Sequence, residues 1–148
     1  MRDLPLPAYA TAGSAGMDIH AAIREDVHLA PGQRALIPTG IRIALPDGYE
    51  AQVRARSGLA LRQGLALVNS PGTIDTDYRN AISVIVINLG QEVIRIQRGD
   101  RIAQLVVAPV MRVEWNELAE GALPASERGE NGFGSTGYRL ERSADGNE

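Results

Sequence analysis

Apolar residues in this chain recur mostly at every second position, in short runs cut off by glycine and proline. From Tyr49 to Arg56, Tyr49, Ala51, Val53 and Ala55 alternate with Glu50, Gln52, Arg54 and Arg56, the period of a strand buried on one face. Ile41, Ile43 and Leu45 repeat that period. Two runs, Val84–Ile87 and Leu105–Ala108, are apolar at every position and rich in β-branched residues, which predicts strands covered on both faces. One small sandwich leaves its outer faces polar, so the second cover comes either from another copy of the chain or from a wholly internal position, and the pattern leaves both open. Pro31-Gly32, Pro46-Asp47-Gly48, Pro71-Gly72 and Arg98-Gly99-Asp100 read as turns. Helical pattern is confined to Leu59–Leu67 and Val113–Ala119, a turn or two each. Strands at this spacing predict an all-β sandwich or jelly roll.

After about Glu120 the composition shifts to Gly, Ser, Glu and Arg with few apolar residues, too few to offset the entropy of ordering a packed element. The expected organisation is a single core over residues 1–120 and a mobile tail over 121–148. The tail holds the only phenylalanine, Phe133, within Gly132-Phe-Gly-Ser-Thr-Gly137. An aromatic with no local core to join is placed to stack on a ligand.

Composition narrows the chemistry. All fifteen basic residues are arginine, which excludes a P-loop, whose lysine reaches the terminal phosphates. Any grip on phosphate falls to Arg and backbone amides. No cysteine is present, so disulfides, thiol nucleophiles and thiolate metal sites are excluded. A net charge of -3 gives no global field for nucleic acid, and no nucleic-acid partner is expected. Met1–Tyr9 carries Pro5 and Pro7 without a long apolar run, and no stretch is long enough to span a bilayer, so a cytoplasmic protein without a membrane partner is expected.

Several stretches carry candidate chemistry, each weak alone. Gly132–Gly137 fits G-x-G-x-x-G formally, but no strand leads into it and no room remains for the helix that a dinucleotide site requires. What survives is a glycine-rich backbone able to approach phosphate, with two hydroxyls and Arg128 as further donors. Arg56-Ser57-Gly58 gathers a guanidinium, a hydroxyl and exposed amides where the alternating strand ends, although singly it is an ordinary strand end. Asn69–Tyr78 sets Asp75, Asp77 and Tyr78 around a Pro-Gly turn, where acidic residues also serve merely to solvate the turn. Asp18 is a polar residue in a strand-like stretch. His20 and His28 are too isolated to suggest a metal site.

Together and in this order, Ala15-Gly-Met-Asp18-Ile, Arg56-Ser-Gly58, Gly72-Thr-Ile-Asp-Thr-Asp-Tyr78, Arg98-Gly-Asp-Arg-Ile-Ala-Gln104 and Arg128-Gly-Glu-Asn-Gly-Phe-Gly-Ser-Thr-Gly137 resemble the five ordered motifs of the trimeric dUTP pyrophosphatases, from about residue 10 to 137. The resemblance implies a distorted jelly-roll-like subunit of the β-clip type, assembled as a homotrimer with active sites shared between subunits, which would cover the all-apolar strands. It implies hydrolysis of dUTP to dUMP and pyrophosphate, keeping uracil out of DNA and supplying dUMP for thymidylate synthesis.

By that resemblance Asp75 is the base that activates a water for in-line attack on the α-phosphorus, and Gln104 positions the water or the α-phosphate. Asp18 holds Mg2+ through waters. Arg56, Ser57 and the amide of Gly58 grip the phosphates. Asn69 and the main chain of Gly72, Thr73, Ile74 and Asp75 read uracil, with Ser83 as a further backbone contact. Tyr78 packs beneath the sugar and excludes a 2′-hydroxyl. From a third subunit Arg128, Ser135 and Thr136 meet the γ-phosphate, Phe133 covers the base and Gly134 is a further substrate contact. Asn80 and Asn131 stand where the family commonly has glycine, and asparagine tolerates left-handed backbone better than most residues. Two alternatives remain: a dCTP deaminase of the same fold, which needs a glutamate near the base, and a catalytically silent nucleotide sensor.

Overall fold

The computed structural model describes residues 3–132, in two units divided between Arg112 and Val113. In the first, nine strands form three antiparallel sheets. The strands are β1 (Met17–His20), β2 (Val27–Leu29), β3 (Arg34–Pro38), β4 (Tyr49–Arg54), β5 (Leu65–Leu67), β6 (Gly72–Ile74), β7 (Ser83–Asn88), β8 (Ile94–Ile96) and β9 (Arg101–Pro109), with one helix, α1 (Ser57–Gln63), between β4 and β5. The sheets run β1-β9-β4-β6, β2-β8 and β3-β7-β5. Within the described residues the fold is all-β and jelly-roll-like, as expected.

The alternating run becomes β4, with Ala51 and Val53 buried. Ile19, Ala103 and Leu105 join them from the same sheet, Ile37, Val84 and Val86 from the β7 sheet, and Leu29, Ile94 and Ile96 from the third, in a single apolar core. Asn88 is the largest polar group inside. Fully buried, it donates to Leu29 O at 2.8 Å and Glu92 O at 2.7 Å and accepts from Gly90 N at 2.8 Å. Its side chain therefore ties the ends of β2 and β7 to the turn before β8.

Three expectations need correction. Ile41, Ile43 and Leu45 keep alternate half-burial, but residues 41–46 join no ladder, because a period of two reports facing and not pairing. The helix begins two residues earlier than expected and ends at Gln63, where Gly64 turns left-handed (φ 72°) and donates to Ala60 O; the rest of the expected segment is β5. Residues 113–119 contain no helix. The first apolar run buries alternate residues, Val84 and Val86 inside with Ile85 and Ile87 half-buried, while in the second only Leu105 lies inside, Val106 and Ala108 being half-buried and Val107 exposed. A wholly internal position is thereby excluded for both strands.

In the second unit, residues 113–132 contain no helix or strand, and their turns are closed by Ala122 N to Ala119 O, Gly129 N to Ser126 O and Asn131 N to Arg128 O. Among the described residues no helix is long and apolar enough to cross a membrane.

Candidate active site

Strand pairing brings three of the five motifs to one end of the β1-β9-β4-β6 sheet. Asp18 on β1 lies directly opposite Gln104 on β9, and Gln104 lies opposite Arg54 on β4. The neighbouring row, Met17, Leu105, Val53 and Gly72, has its last three members buried, so by strand alternation Asp18 and Gln104 face the other way, off the core. Gly16, just before β1, packs beside Gln104, whose Oε1 lies 3.4 Å from where a Cβ would stand.

Arg56, two residues beyond β4, turns back onto this row. Its Nε lies 3.0 Å from Asp18 Oδ1, and Nη1 donates to the carbonyl of Arg101 at 3.0 Å. The ion pair is close but not aligned for a hydrogen bond, so Asp18 Oδ1 is buried and accepts none. Arg101 approaches the other oxygen, Nη1 to Oδ2 at 3.4 Å. Two guanidiniums around one carboxylate leave a local excess of positive charge, suited to a polyanion. Beside them opens a cavity of about 380 Å3 lined by Arg56, Leu59, Gln63, Arg95, Asp100 and Arg101. Ser57 and Gly58, the first residues of α1, stand next to Arg56. Arg101 is a residue that sequence reasoning passed over; its signal was its place at the start of the strand that also carries Gln104.

The third motif forms a separate group. Gly72 is buried with Asn69 Nδ2 packed against it, 3.0 Å from where a Cβ would stand, so a larger residue here would push the Asn69 amide aside. Thr73 pairs with Gln52 and Ile74 with Ala51. Asp75 is exposed just past β6, its carbonyl accepting from Tyr78 N at 3.2 Å, and Tyr78 Oη donates to Ala81 O at 3.2 Å. The chain returns through Asn80, whose Oδ1 accepts from Ala81 N, to half-buried Ser83 at the start of β7. Tyr49, Glu50, Thr73, Asp75, Asp77 and Arg112 line a cleft of about 550 Å3.

The two groups lie at opposite ends of β4. Ile74 pairs with Ala51, so Asp75 falls level with Glu50, while Arg56 meets Asp18 on the Arg54 row; four residues along the strand at about 3.3 Å each and three strand spacings of about 4.8 Å from β6 to β1 separate Asp75 from that contact by about 20 Å. Within one chain the carboxylate and the arginine cluster therefore cannot meet on one phosphorus.

Arg128 is exposed in the second unit, its Nε donating to Asn131 O at 2.9 Å. Phe133, Gly134, Ser135 and Thr136 lie outside the described residues. Among the described residues no three His, Cys, Asp or Glu side chains cluster as a metal site.

The first unit thus carries a guanidinium-lined cavity at one end of a sheet and an exposed carboxylate beyond β6 at the other. The family model described as dUTPase matches residues 2–137. A deoxyuridine 5'-triphosphate nucleotidohydrolase of Ehrlichia canis is 57% identical over 91% of this chain and 88% of that protein, and one of Roseobacter denitrificans is 58% identical over 90% and 88%. The solved structure of the Staphylococcus bacteriophage 80alpha dUTPase G164S mutant with dUpNHpp superposes with a TM-score of 0.80 at 28% identity, covering 93% of this chain and 95% of that one. The chain belongs to the dUTPase family, and is an enzyme of nucleotide metabolism.

Proposed function

We propose that this chain hydrolyses dUTP to dUMP and pyrophosphate in the cytoplasm as a homotrimer, with each active site assembled from more than one copy, keeping uracil out of DNA and supplying dUMP for thymidylate synthesis. The observation that carries the reading is the division of the site: Asp75 and the Arg56 cluster lie at opposite ends of one strand, and a second copy is needed to bring one Asp75 loop against another copy's arginines. The half-open apolar rows of β7 and β9 supply faces for such packing.

Asp75 is the general base. An exposed carboxylate at a strand end takes a proton from a water that attacks the α-phosphorus in line, and pyrophosphate departs. Gln104 holds the water or the α-phosphate. Arg56, Ser57 and the Gly58 amide take the phosphate chain, with the Ser57 hydroxyl donating to the oxygen on which charge develops. The Asn69 amide and the main chain from Gly72 to Asp75 read uracil. Cytosine, with the opposite donor pattern, leaves them unpaired. Ser83 adds a backbone contact, and Tyr78, held by its bond to Ala81 O, packs under the sugar and leaves no space for a 2′-hydroxyl. Residues 121–148 of a third subunit close the site, with Arg128, Ser135 and Thr136 on the γ-phosphate, Phe133 over the base and Gly134 among the substrate contacts.

The residues at Asp18 fit a magnesium ion held through its waters: one carboxylate has a buried oxygen without a hydrogen bond, beside cationic side chains suited to the phosphates that share the ion. When bound, magnesium neutralises charge on the phosphate oxygens.

Pyrophosphate release from dUTP, dCTP, dTTP and UTP, with and without EDTA, tests the reading. Release from dUTP alone, suppressed by chelation, supports it. Equal release across the panel, or ammonia from dCTP, overturns it.

A further inference from the structure

Arg101 has no role in the reading above, yet it meets Asp18 on the side that Arg56 leaves open. A β-bulge places it there. Asp18 and Ile19 pair with Gln104 and Ala103, but His20 pairs with Arg101, so Ile102 is the extra residue and the register slips by one. Such a slip re-aims the neighbouring side chain, here that of Arg101 just before it. The preceding turn is fixed on both sides, by Gly99 N to Ala21 O at 2.9 Å and Ala21 N to Asp100 O at 2.8 Å. Arg101 thus starts β9 from a pinned position, while its side chain remains 59% exposed and lines the cavity beside Arg56.

From this geometry we propose that Arg101 is a positioning residue, which keeps Arg56 available to phosphate by sharing the carboxylate of Asp18. An arginine alone with a carboxylate closes a two-pronged fork and spends two donors on it. Here the fork is not made. Arg101 Nη1 occupies Oδ2 at 3.4 Å, Arg56 reaches Oδ1 only from the side at 3.0 Å, and the main-chain carbonyl of Arg101 holds Arg56 Nη1 at 3.0 Å. Arg56 Nη2 makes no hydrogen bond among the described residues, and Arg56 remains part of the cavity wall. Without the Arg101 guanidinium, Oδ2 loses its partner and Arg56 swings into the fork, away from the cavity.

The proposal rests on the assignment of Arg56 to the phosphates of dUTP, and its test keeps the two apart. The dissociation constant of dUpNHpp with Mg2+ is measured by calorimetry for the parental chain, Arg101→Gln, Asp18→Asn and the double variant, with thermal melts to show that each is folded. Arg101→Gln is expected to weaken binding about tenfold in the parental background and less than about twofold beside Asp18→Asn, because the fork cannot form without the carboxylate. Arg101→Lys, which restores a cation near Oδ2, is expected to recover most of the loss and serves if the glutamine variant does not fold. An equal loss in both backgrounds means that Arg101 binds phosphate itself, and no loss in the parental background means that it does nothing; either overturns the proposal. Absence of dUTP hydrolysis by the parental chain in the same preparation overturns the underlying reading instead.

Discussion

Arg56 Nε lies 3.0 Å from Asp18 Oδ1 across the end of the β1-β9-β4-β6 sheet, which joins the first two sequence motifs in one charged contact. The guanidinium also reaches the Arg101 carbonyl through Nη1, so two of its nitrogens are engaged, a spread that a single ammonium nitrogen does not reproduce. Arg56→Lys is therefore expected to lower kcat/KM for dUTP by about 100-fold, equivalent to about 2.7 kcal/mol, with little change in melting temperature because the pair is part-exposed. Steady-state kinetics beside thermal melts measure both.

Asp75 stands apart from that cluster, exposed and bound through its carbonyl to Tyr78 N. Asp75→Asn keeps the size and the main-chain bond but removes the base. Turnover is expected to fall about 10²–10⁴-fold while dUpNHpp binds within a few-fold of the parental affinity. A variant that hydrolyses dUTP at the parental rate refutes the assignment.

How far the sequence carried this picture depended on the kind of information each residue holds. The β4 alternation set both the strand and its buried face, because Ala51 and Val53 can only point inward if Gln52 and Arg54 point out. The motif residues Asp18, Arg56, Ser57 and Gln104 were legible as chemistry, but their convergence follows from the pairing of β1 with β9 and β9 with β4, contacts far apart in sequence that no local pattern encodes. Arg101 stayed hidden because the bulge that aims it is a property of two strands together. Ile41–Leu45 looked like a strand because burial alternates there, and only the absence of a partner shows otherwise.

Gly64 and Gly90 meet backbone to backbone. A Cβ at Gly64 would stand 2.3 Å from Gly90 N, and one at Gly90 would stand 2.3 Å from Gln63 O, while Gly64 also holds φ 72°. Alanine at either position is expected to cost about 3 kcal/mol or more, from overpacking against main chain and, at Gly64, the left-handed backbone. Denaturant melts of Gly64→Ala and Gly90→Ala against Gly13→Ala, where a Cβ meets nothing within 4 Å, give the comparison.

Asp3 is held by Arg98 through two bonds, Nε to Oδ2 at 3.0 Å and Nη2 to Oδ1 at 2.7 Å, and the arginine's hydrogen bonds hold its carboxyl down to about 2 from an ordinary 3.8. A carboxyl depressed on folding adds stability above its unfolded pKa, and that stability fades as pH falls toward the folded value. The melting-temperature gap between the parental chain and Asp3→Asn is therefore expected to be constant from pH 7 to about 4 and to narrow below that, toward about 2. A gap unchanged down to pH 3 shows that the ion pair is not its source.

A site divided between copies makes a further demand, on mixtures. Asp75→Asn and Arg56→Ala chains are each expected to be inactive, since every site in either homotrimer carries a lesion. In a trimer containing both, the Asp75 loop of an Arg56→Ala chain meets the intact arginine of an Asp75→Asn chain, and random exchange restores up to about one quarter of the sites. Unfolding the two variants together and refolding them at equal concentration is expected to raise dUTP hydrolysis well above that of either refolded alone. A mixture no more active than its parts means that Asp75 and Arg56 act from the same chain, which contradicts the separation of about 20 Å that the strand pairing across the sheet imposes.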